Sequence, residues 1–284
     1  MSESLLKLLD EGKLLKYTRL FLLTYGLRAR KKLGQNFIVS KRVVNSYVES
    51  LKEIHNPMIL EVGTGLGAIT YFIAKRYPDK TIVTIEKDPL IYDVVNNVLG
   101  SLSNAVFVLG DALNVLQEAR VSTIISSTPY QLSTEILLRA ARNNNINNAV
   151  LGVQREVAQR LVGKPGSENY GRISVISQLL FNIEVKGHYS PKCFYPQPEV
   201  SGVIVILRRK KKYDTKIHSK LEKLTECLFS YRNKLAQKVL SLCINKLTNS
   251  NLTINYSELE INDKTRVREL RPETIEKIVE KYLA

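Results

Sequence analysis

Short runs of apolar, β-branched residues alternate with helical stretches between residues 59 and 153, and this alternation constrains the fold most. The runs at 59–62, 81–85, 105–108, 121–126 and 149–153 have the length and composition of buried strands. Helical stretches at 68–77, 89–99 and 134–143 lie between them. Strands that alternate with helices favour right-handed crossovers and a parallel sheet. The chain is therefore predicted to contain an α/β domain.

The pattern changes after residue 207. Two further strands are predicted at 181–189 and 200–207, and five consecutive basic residues, 208–212, follow the second of them. From about residue 217 apolar residues recur at helical spacing, and Pro272 precedes a last predicted helix at 274–283. The basic run is therefore predicted to separate the α/β domain from a smaller helical one.

Basic residues are concentrated at the two ends of the chain, whose formal net charge is +15. Lys and Arg outnumber Asp and Glu by 11 to 4 in residues 1–52 and by 18 to 10 in residues 208–284, whereas residues 53–207 carry 13 of each. This distribution favours a neutral catalytic body whose basic flanks bind a polyanion, with nucleic acid preferred over acidic phospholipid. The alternative is a lysine-rich surface that only supports solubility or heat tolerance.

The sequence predicts no disulfide framework, metal site or membrane span. Cys193, Cys227 and Cys243 are odd in number and have no paired spacing, so thiols in a reducing compartment are expected. The three histidines are scattered, which predicts no metal site. The longest uncharged stretch near the N-terminus, 20–27, is far shorter than the ~20 residues of a membrane span. No signal-peptide pattern is visible, and a cytoplasmic location is expected.

A glycine-rich turn follows the first predicted strand. Gly63, Gly65 and Gly67 allow a sharp turn whose backbone N–H groups approach a ligand closely, a pattern that dehydrogenases also use. Glu86 ends the second strand, 21 residues beyond Gly65, where a carboxylate suits the ribose hydroxyls of NAD or S-adenosylmethionine. Asp111 follows the third strand and suits an adenine amino group. Helix N-capping is the alternative for each carboxylate, but their order favours an adenosine-containing cofactor.

The tetrapeptide Ser127-Thr128-Pro129-Tyr130 follows the fourth predicted strand. A polar residue, a proline and an aromatic ring at a strand end suit the exocyclic amine of a nucleobase, because the oxygen accepts its hydrogen bond and the ring stacks on the base. Downstream of a glycine turn, this motif predicts methyl transfer to the amino group of a base.

From about residue 28 to its end, the chain resembles the ribosomal RNA adenine N6-dimethyltransferases. Six segments in the family's order carry the resemblance: Lys31-Lys-Leu-Gly-Gln-Asn-Phe37, Glu61-Val-Gly-Thr-Gly-Leu-Gly67, the stretch from Gln154 to Arg172, Pro191-Lys-Cys-Phe-Tyr-Pro-Gln-Pro-Glu-Val-Ser201, Tyr231-Arg-Asn-Lys234 and Arg266-Val-Arg-Glu-Leu-Arg-Pro-Glu273. The resemblance implies a Rossmann-like, S-adenosylmethionine-dependent methyltransferase domain over 28–207 and a small, basic, helical domain over 208–284. Residues 1–27 are expected to be an N-terminal extension.

The resemblance also implies an activity, which is dimethylation of adenine N6, at two adjacent adenines near the 3′ end of small-subunit ribosomal RNA, with a role in ribosome biogenesis. The expected partner is that RNA or the precursor particle, bound by a monomer without metal. The residues that it implies for S-adenosylmethionine are Asn36, Ile38, Gly63, Gly65, Glu86, Asp111, Ala112 and Ser127. Those implied for catalysis are Ser127, Pro129 and Tyr130. Those implied for the target base and RNA are Tyr130, Phe194, Lys31, Lys32, Arg208, Arg209 and Arg232.

The chain departs from the family pattern at Ser127, where the family usually has asparagine. Serine is shorter, but its hydroxyl still accepts a hydrogen bond, so activity is expected at a lower rate. An alternative of another class is an RNA-binding factor for ribosome assembly or transcription that keeps the pocket with little catalysis. A dehydrogenase is less favoured, because no histidine or tyrosine–lysine pair suited to hydride transfer is evident.

Overall fold

The computed structural model describes residues 2–127, 132–250 and 252–283, except the side chain of Lys31. The chain divides into two compact units: the chain up to Arg155 together with Glu184–Arg208, and Glu156–Ile183 together with Arg209 onward. One division falls beside the predicted boundary at 207/208, whereas residues 156–183 join the second unit. The domain boundaries themselves stay a prediction, because compactness does not establish that a unit folds by itself.

A seven-stranded sheet lies in the first unit, apart from residues 181–183 and 209 at two strand ends. Its strands are β2 (Met58–Val62), β3 (Thr81–Glu86), β4 (Ala105–Leu109), β5 (Thr123–Ser126), β6 (Asn148–Gln154), β7 (Phe181–Tyr189) and β9 (Gly202–Arg209), in the order β4-β3-β2-β5-β6-β9-β7. A separate two-stranded sheet pairs β1 (Phe37–Ile38) with β8 (Phe194–Tyr195). The predicted α/β, Rossmann-like fold is confirmed.

The sheet is parallel from β4 to β6, but β9 runs antiparallel to β6. The parallel sheet predicted for the five runs between residues 59 and 153 is therefore confirmed, and the antiparallel strand lies outside those runs. Parallel neighbours need a crossover connection, usually a helix. Residues 190–201, between β7 and β9, contain no α-helix.

Helices of the first unit connect and cover the strands. They are α1 (Ser2–Asp10), α2 (Leu14–Thr24), α3 (Lys41–Ser50), α4 (Ala68–Arg76), α5 (Pro89–Leu99), α6 (Ala112–Glu118) and α7 (Ser133–Arg142). Two begin at aspartate caps that the strand ends supply: Asp88 accepts from the N–H of Leu90 at 3.2 Å, and Asp111 from that of Leu113 at 3.0 Å. Strand ends and helix starts therefore meet along one edge of the sheet.

The N-terminal segment is packed into the first unit. α1 and α2 bury Leu5, Leu9, Tyr17 and Phe21 completely. The Tyr17 hydroxyl donates to the carbonyl of Leu66, within the glycine turn, at 2.7 Å. Both helices therefore contribute to the core that supports this turn.

The second unit is helical. It contains most of α8 (Arg155–Leu161) and all of α9 (Arg172–Leu180), α10 (Thr215–Phe229), α11 (Ala236–Thr248) and α12 (Pro272–Tyr282). A disulfide joins Cys227 of α10 to Cys243 of α11, whereas Cys193 is free. The expectation of three thiols was wrong for two of them, because helix packing brings their Cα atoms to 5.9 Å despite 16 residues of separation.

Candidate active site

Two adjoining cavities lie at the carboxyl edge of the parallel strands in the first unit. The larger is lined by residues at the ends of β2 to β5, including Gly63, Glu86, Asp111 and Ser127. The smaller is lined by Tyr47 and Phe194 among others. Open α/β sheets bind ligands at this edge, because the loops after parallel strands converge there.

The glycine turn forms the floor of the larger cavity. Gly63, Gly65 and Gly67 have φ values of 84°, 54° and 75°, a region that favours glycine. A Cβ at Gly67 would also lie 2.2 Å from Cδ1 of Leu99, so the start of α4 packs too closely on α5 for a side chain. Glycine at position 67 therefore lets the start of α4 pack directly on α5, while Gly63 and Gly65 line the cavity.

Glu86 organises this edge of the cavity. Its Oε1 accepts from the backbone N–H groups of Lys87 and Asp88, and its Oε2 accepts from the N–H of Gly65, each at 2.9 Å. Burial raises the pKa of Glu86, although these three hydrogen bonds favour the charged form. A carboxylate oxygen has two lone pairs, so Oε2 has the capacity for a further donor from a ligand.

Asp111 lies at the far end of the same edge and is more exposed. Its Oδ1 caps α6, and its Oδ2 accepts from Nζ of Lys87 at 2.7 Å, an interaction that lowers the pKa of Asp111. The capping interpretation of this carboxylate is therefore correct. It does not exclude a ligand, because the side chain still lines the larger cavity.

The segment before β1 covers the larger cavity. Asp88 accepts from Nε2 of Gln35 at 3.0 Å and forms an ion pair with Arg30 at 3.3 Å. Lys32 and Asn36 contribute to the lining, and Nδ2 of Asn36 donates to the carbonyl of Gly34 at 3.0 Å. A buried carboxylate beside the glycine turn thus ties this segment across the site.

Asn36 and Ser127 line both cavities, so these residues mark the junction. On the side of the smaller cavity, the rings of Tyr47, Tyr189 and Phe194 contribute to the wall. A cavity with polar groups at Glu86 and Asp111 therefore adjoins a smaller one with an aromatic wall.

A sequence model described as ribosomal RNA adenine dimethylase matches residues 26–283. The chain belongs to this family. It is 35% identical over 226 residues to the probable ribosomal RNA small subunit methyltransferase A of Thermococcus sibiricus, covering 79% of this chain and 80% of that one. It is 32% identical over 269 residues to the protein of the same name from Methanothermobacter thermautotrophicus, covering 93% and 94%. The predicted family is confirmed, and the dehydrogenase alternative is set aside.

A solved structure has the same fold. The crystal structure of a dimethyladenosine transferase from Plasmodium falciparum superposes with a TM-score of 0.73 at 20% identity, covering 86% of this chain and 96% of that one. At this identity the likeness supports the fold alone, and it agrees with the Rossmann-like sheet described above.

Most residues predicted for the cofactor lie around the larger cavity. The lining includes Asn36, Gly63, Gly65, Glu86, Asp111, Ala112 and Ser127. Ile38 is not among the lining residues: it is buried in β1, where it pairs with Phe194 of β8. The predicted catalytic residues Pro129 and Tyr130 lie outside the described residues, as does the side chain of Lys31.

The basic residues predicted for RNA differ in their surroundings. Lys32 lines the larger cavity, and Arg208 pairs with Glu184 at 2.8 Å. The guanidinium of Arg209 lies 4.7 Å from the centre of a phenylalanine ring, and burial lowers its pKa to about 10. Arg232 donates to three backbone carbonyls of residues 167, 168 and 170. These contacts favour a structural role for Arg232, and RNA contacts for the set stay a prediction.

Sequence reasoning missed several lining residues, among them Leu33, Gln35, Ile85, Lys87, Leu113 and Ile136. Three of them could have been found by adjacency, since Ile85 and Lys87 flank Glu86 and Leu113 follows Ala112. Gln35 and Leu33 likewise flank the predicted residues Asn36 and Lys32, whereas Ile136, in α7, had no such signal.

Neither a metal-type cluster nor a membrane-length helix occurs within residues 2–127, 132–250 and 252–283. No cluster of His, Cys, Asp or Glu in these ranges has an arrangement that could hold a metal ion. No helix in them is long and apolar enough to cross a membrane.

Proposed function

We propose that this protein transfers methyl groups from S-adenosylmethionine to N6 of two adjacent adenines near the 3′ end of small-subunit ribosomal RNA. The observation that carries the proposal is the junction at Asn36 and Ser127, where a nucleoside-type cavity meets an aromatic one in a member of an adenine dimethylase family. The names of the curated relatives supply the small subunit as substrate.

The larger cavity fits the proposed cofactor. Glu86 has a free lone pair on Oε2 for a ribose hydroxyl, and Asp111 lines the cavity where an acceptor suits the adenine amine. Apolar side chains at Ile85 and Leu113 suit the faces of a purine. Asn36 and Gly63 would lie against the methionine end. When bound, S-adenosylmethionine supplies a methyl group on a sulfonium, which is already a strong donor.

The protein's own contribution would be alignment and hydrogen bonding. The adenine amine is a poor nucleophile because its lone pair is delocalised into the ring. An acceptor at Ser127 Oγ would favour the pyramidal nitrogen, and Phe194 with Tyr130 would hold the base by stacking, worth about 1–3 kcal/mol per base. Alignment of the two reactants provides much of the rate in reactions of this kind.

The basic ends of the chain would bind the RNA phosphates, so affinity is expected to fall steeply with salt. The protein would act as a monomer on the RNA or its precursor particle, in the cytoplasm that the sequence predicts. Dimethylation requires a pocket that also accepts the monomethylated base.

The direct test is transfer of tritiated methyl groups from S-adenosylmethionine to small subunits that lack the modification. We expect transfer by the wild-type protein and by Ser127→Asn, and a loss of about ten- to a hundredfold with Ser127→Ala, because a missing hydrogen-bond acceptor costs about 1–3 kcal/mol. Tight RNA binding without any transfer would instead favour an assembly factor that keeps the pocket. An alanine variant with wild-type turnover would remove Ser127 from the mechanism.

A further inference from the structure

A buried phenol contacts the backbone directly beside Ser127. Tyr47 lies on the apolar face of α3 and is only 1% exposed. Its hydroxyl donates to the carbonyl of Ser126, the last residue of β5, at 3.1 Å. Ser126 in turn donates from Oγ to the carbonyl of Val62, at the end of β2, also at 3.1 Å. The end of β5 is thus tied both to a helix and to the neighbouring strand.

The carbonyl that Tyr47 contacts belongs to the peptide group that joins Ser126 to Ser127. A peptide group is planar, so fixing its oxygen also fixes the nitrogen and Cα of the next residue. Serine has a single side-chain torsion before its oxygen, so three staggered positions of Oγ follow from the position of Cα. A short side chain at 127 therefore depends on backbone placement more than the longer asparagine of the family pattern would.

Gly152 leaves the space that the phenol occupies. It lies within β6, where glycine ordinarily weakens a strand, and its φ is outside the left-handed region, so the backbone does not require it. A Cβ at this position would lie 2.2 Å from Oη of Tyr47, whereas the next atoms, Cζ of Tyr47 and the carbonyl oxygen of Ser126, are 3.5 Å away. The Tyr47 hydroxyl is therefore the reason that a residue larger than glycine does not fit at position 152.

We propose that Tyr47 is a positioning residue for methyl transfer, which holds Ser127 at the junction of the two cavities through the carbonyl of Ser126. This role rests on the proposed function, because it acts through Ser127. Tyr47 and Gly152 also line the smaller cavity, so the pair shapes the space for the acceptor base as well.

The test compares variants in single-turnover methyl transfer to unmethylated small subunits at saturating S-adenosylmethionine and RNA. We expect Tyr47→Phe to lower this rate about ten- to a hundredfold, since misplacement by about 1 Å costs up to about a hundredfold. Cofactor affinity, measured by calorimetry, is expected to fall much less than the transfer rate, because Tyr47 does not line the larger cavity and reaches it only through Ser127.

A double-mutant cycle separates this role from general damage. Gly152→Ala should slow transfer as much as Tyr47→Phe does, because its Cβ displaces the hydroxyl. In the Tyr47→Phe background the same substitution should cost little more, because the nearest remaining atoms are at 3.5 Å. The matched control is Tyr170→Phe, which removes an equally buried phenol that donates to the carbonyl of Leu270 at 2.7 Å in the second unit.

The possible outcomes are distinct. A transfer rate that falls much more than cofactor affinity in Tyr47→Phe, together with a non-additive cycle, supports the proposal. An active wild type with an equally active Tyr47→Phe overturns it, as do additive effects or a parallel loss of cofactor affinity and thermal stability. A wild type that transfers no methyl group overturns the proposed function, and the role of Tyr47 with it.

Discussion

Replacing Glu86 by glutamine probes the proposed cofactor site with minimal change in shape. The carboxylate accepts three backbone N–H groups at 2.9 Å and has a lone pair left on Oε2. Glutamine has only one acceptor oxygen, so its NH₂ group must face either the N–H of Gly65 or those of Lys87 and Asp88. If the glutamine oxygen keeps the two hydrogen bonds that Oε1 of Glu86 accepts, the NH₂ group faces Gly65 and the ligand.

The expected loss follows from the bonds at Oε2. A hydrogen bond to a charged group contributes about 1.5–3 kcal/mol, so losing the one to a ribose hydroxyl weakens binding about ten- to a hundredfold. The cost in stability should be smaller. Burial raises the pKa of Glu86, which means that the charged form is penalised in the folded protein, and a neutral side chain relieves this penalty.

The assay is calorimetric titration with S-adenosylhomocysteine and with its 2′-deoxy and 3′-deoxy analogues. In the wild type, removing the hydroxyl that Glu86 binds should lower the affinity for the analogue about tenfold. In Glu86→Gln, removing the same hydroxyl should lower the affinity only slightly, because the hydrogen bond is already lost. Glu53→Gln, an exposed charge change in the same unit, serves as the control. Two results would refute the assignment of Glu86 to a ribose hydroxyl. One is an equal loss of affinity for the deoxy analogues in the wild type and in Glu86→Gln, and the other is a variant that binds S-adenosylhomocysteine as tightly as the wild type.

Two further predictions concern stability. Burial raises the pKa of Glu61 to about 7 from the ordinary 4.5, so the folded protein holds an extra proton between these values. Stability therefore falls as pH rises from 4.5 to about 7 and is level above that. Denaturant titrations from pH 5 to 8 should show a decline of up to about 3 kcal/mol that Glu61→Gln lacks; identical slopes in both proteins would argue against it. The disulfide joins cysteines 16 residues apart and should contribute about 3 kcal/mol, so Cys227→Ser with Cys243→Ser should lower the melting temperature of the protein while methyl transfer at 25 °C persists. A melting temperature unaffected by the substitutions would show that the bond contributes no stability.

The parts of the fold that the sequence predicted are those with a local pattern. The β-branched runs located β2 to β6 to within two residues, and β7 and α5 were predicted with their observed bounds. The two-residue strands β1 and β8 have no periodicity to detect, because their pairing depends on a long-range contact between Phe37 and Tyr195. The antiparallel direction of β9 depends on the connection before it.

The candidate site shows the same division. Glycines, carboxylates at strand ends and Ser127 could be placed from strand order, because parallel strands bring their carboxyl ends to one edge. The disulfide and the Tyr47–Gly152 contact could not, because each joins positions whose proximity arises only from packing. Ile38 shows the converse, since it was predicted for the cofactor but, two positions beyond Asn36, is buried in the core.

The central claim is that this chain methylates adenines of the small ribosomal subunit. Nucleoside and fragment mass spectrometry of small-subunit ribosomal RNA, from cells with and without the protein, tests it most directly. We predict N6,N6-dimethyladenosine at two adjacent positions near the 3′ end in the first sample and its loss in the second. The same dimethyladenosine content in both samples would contradict the claim.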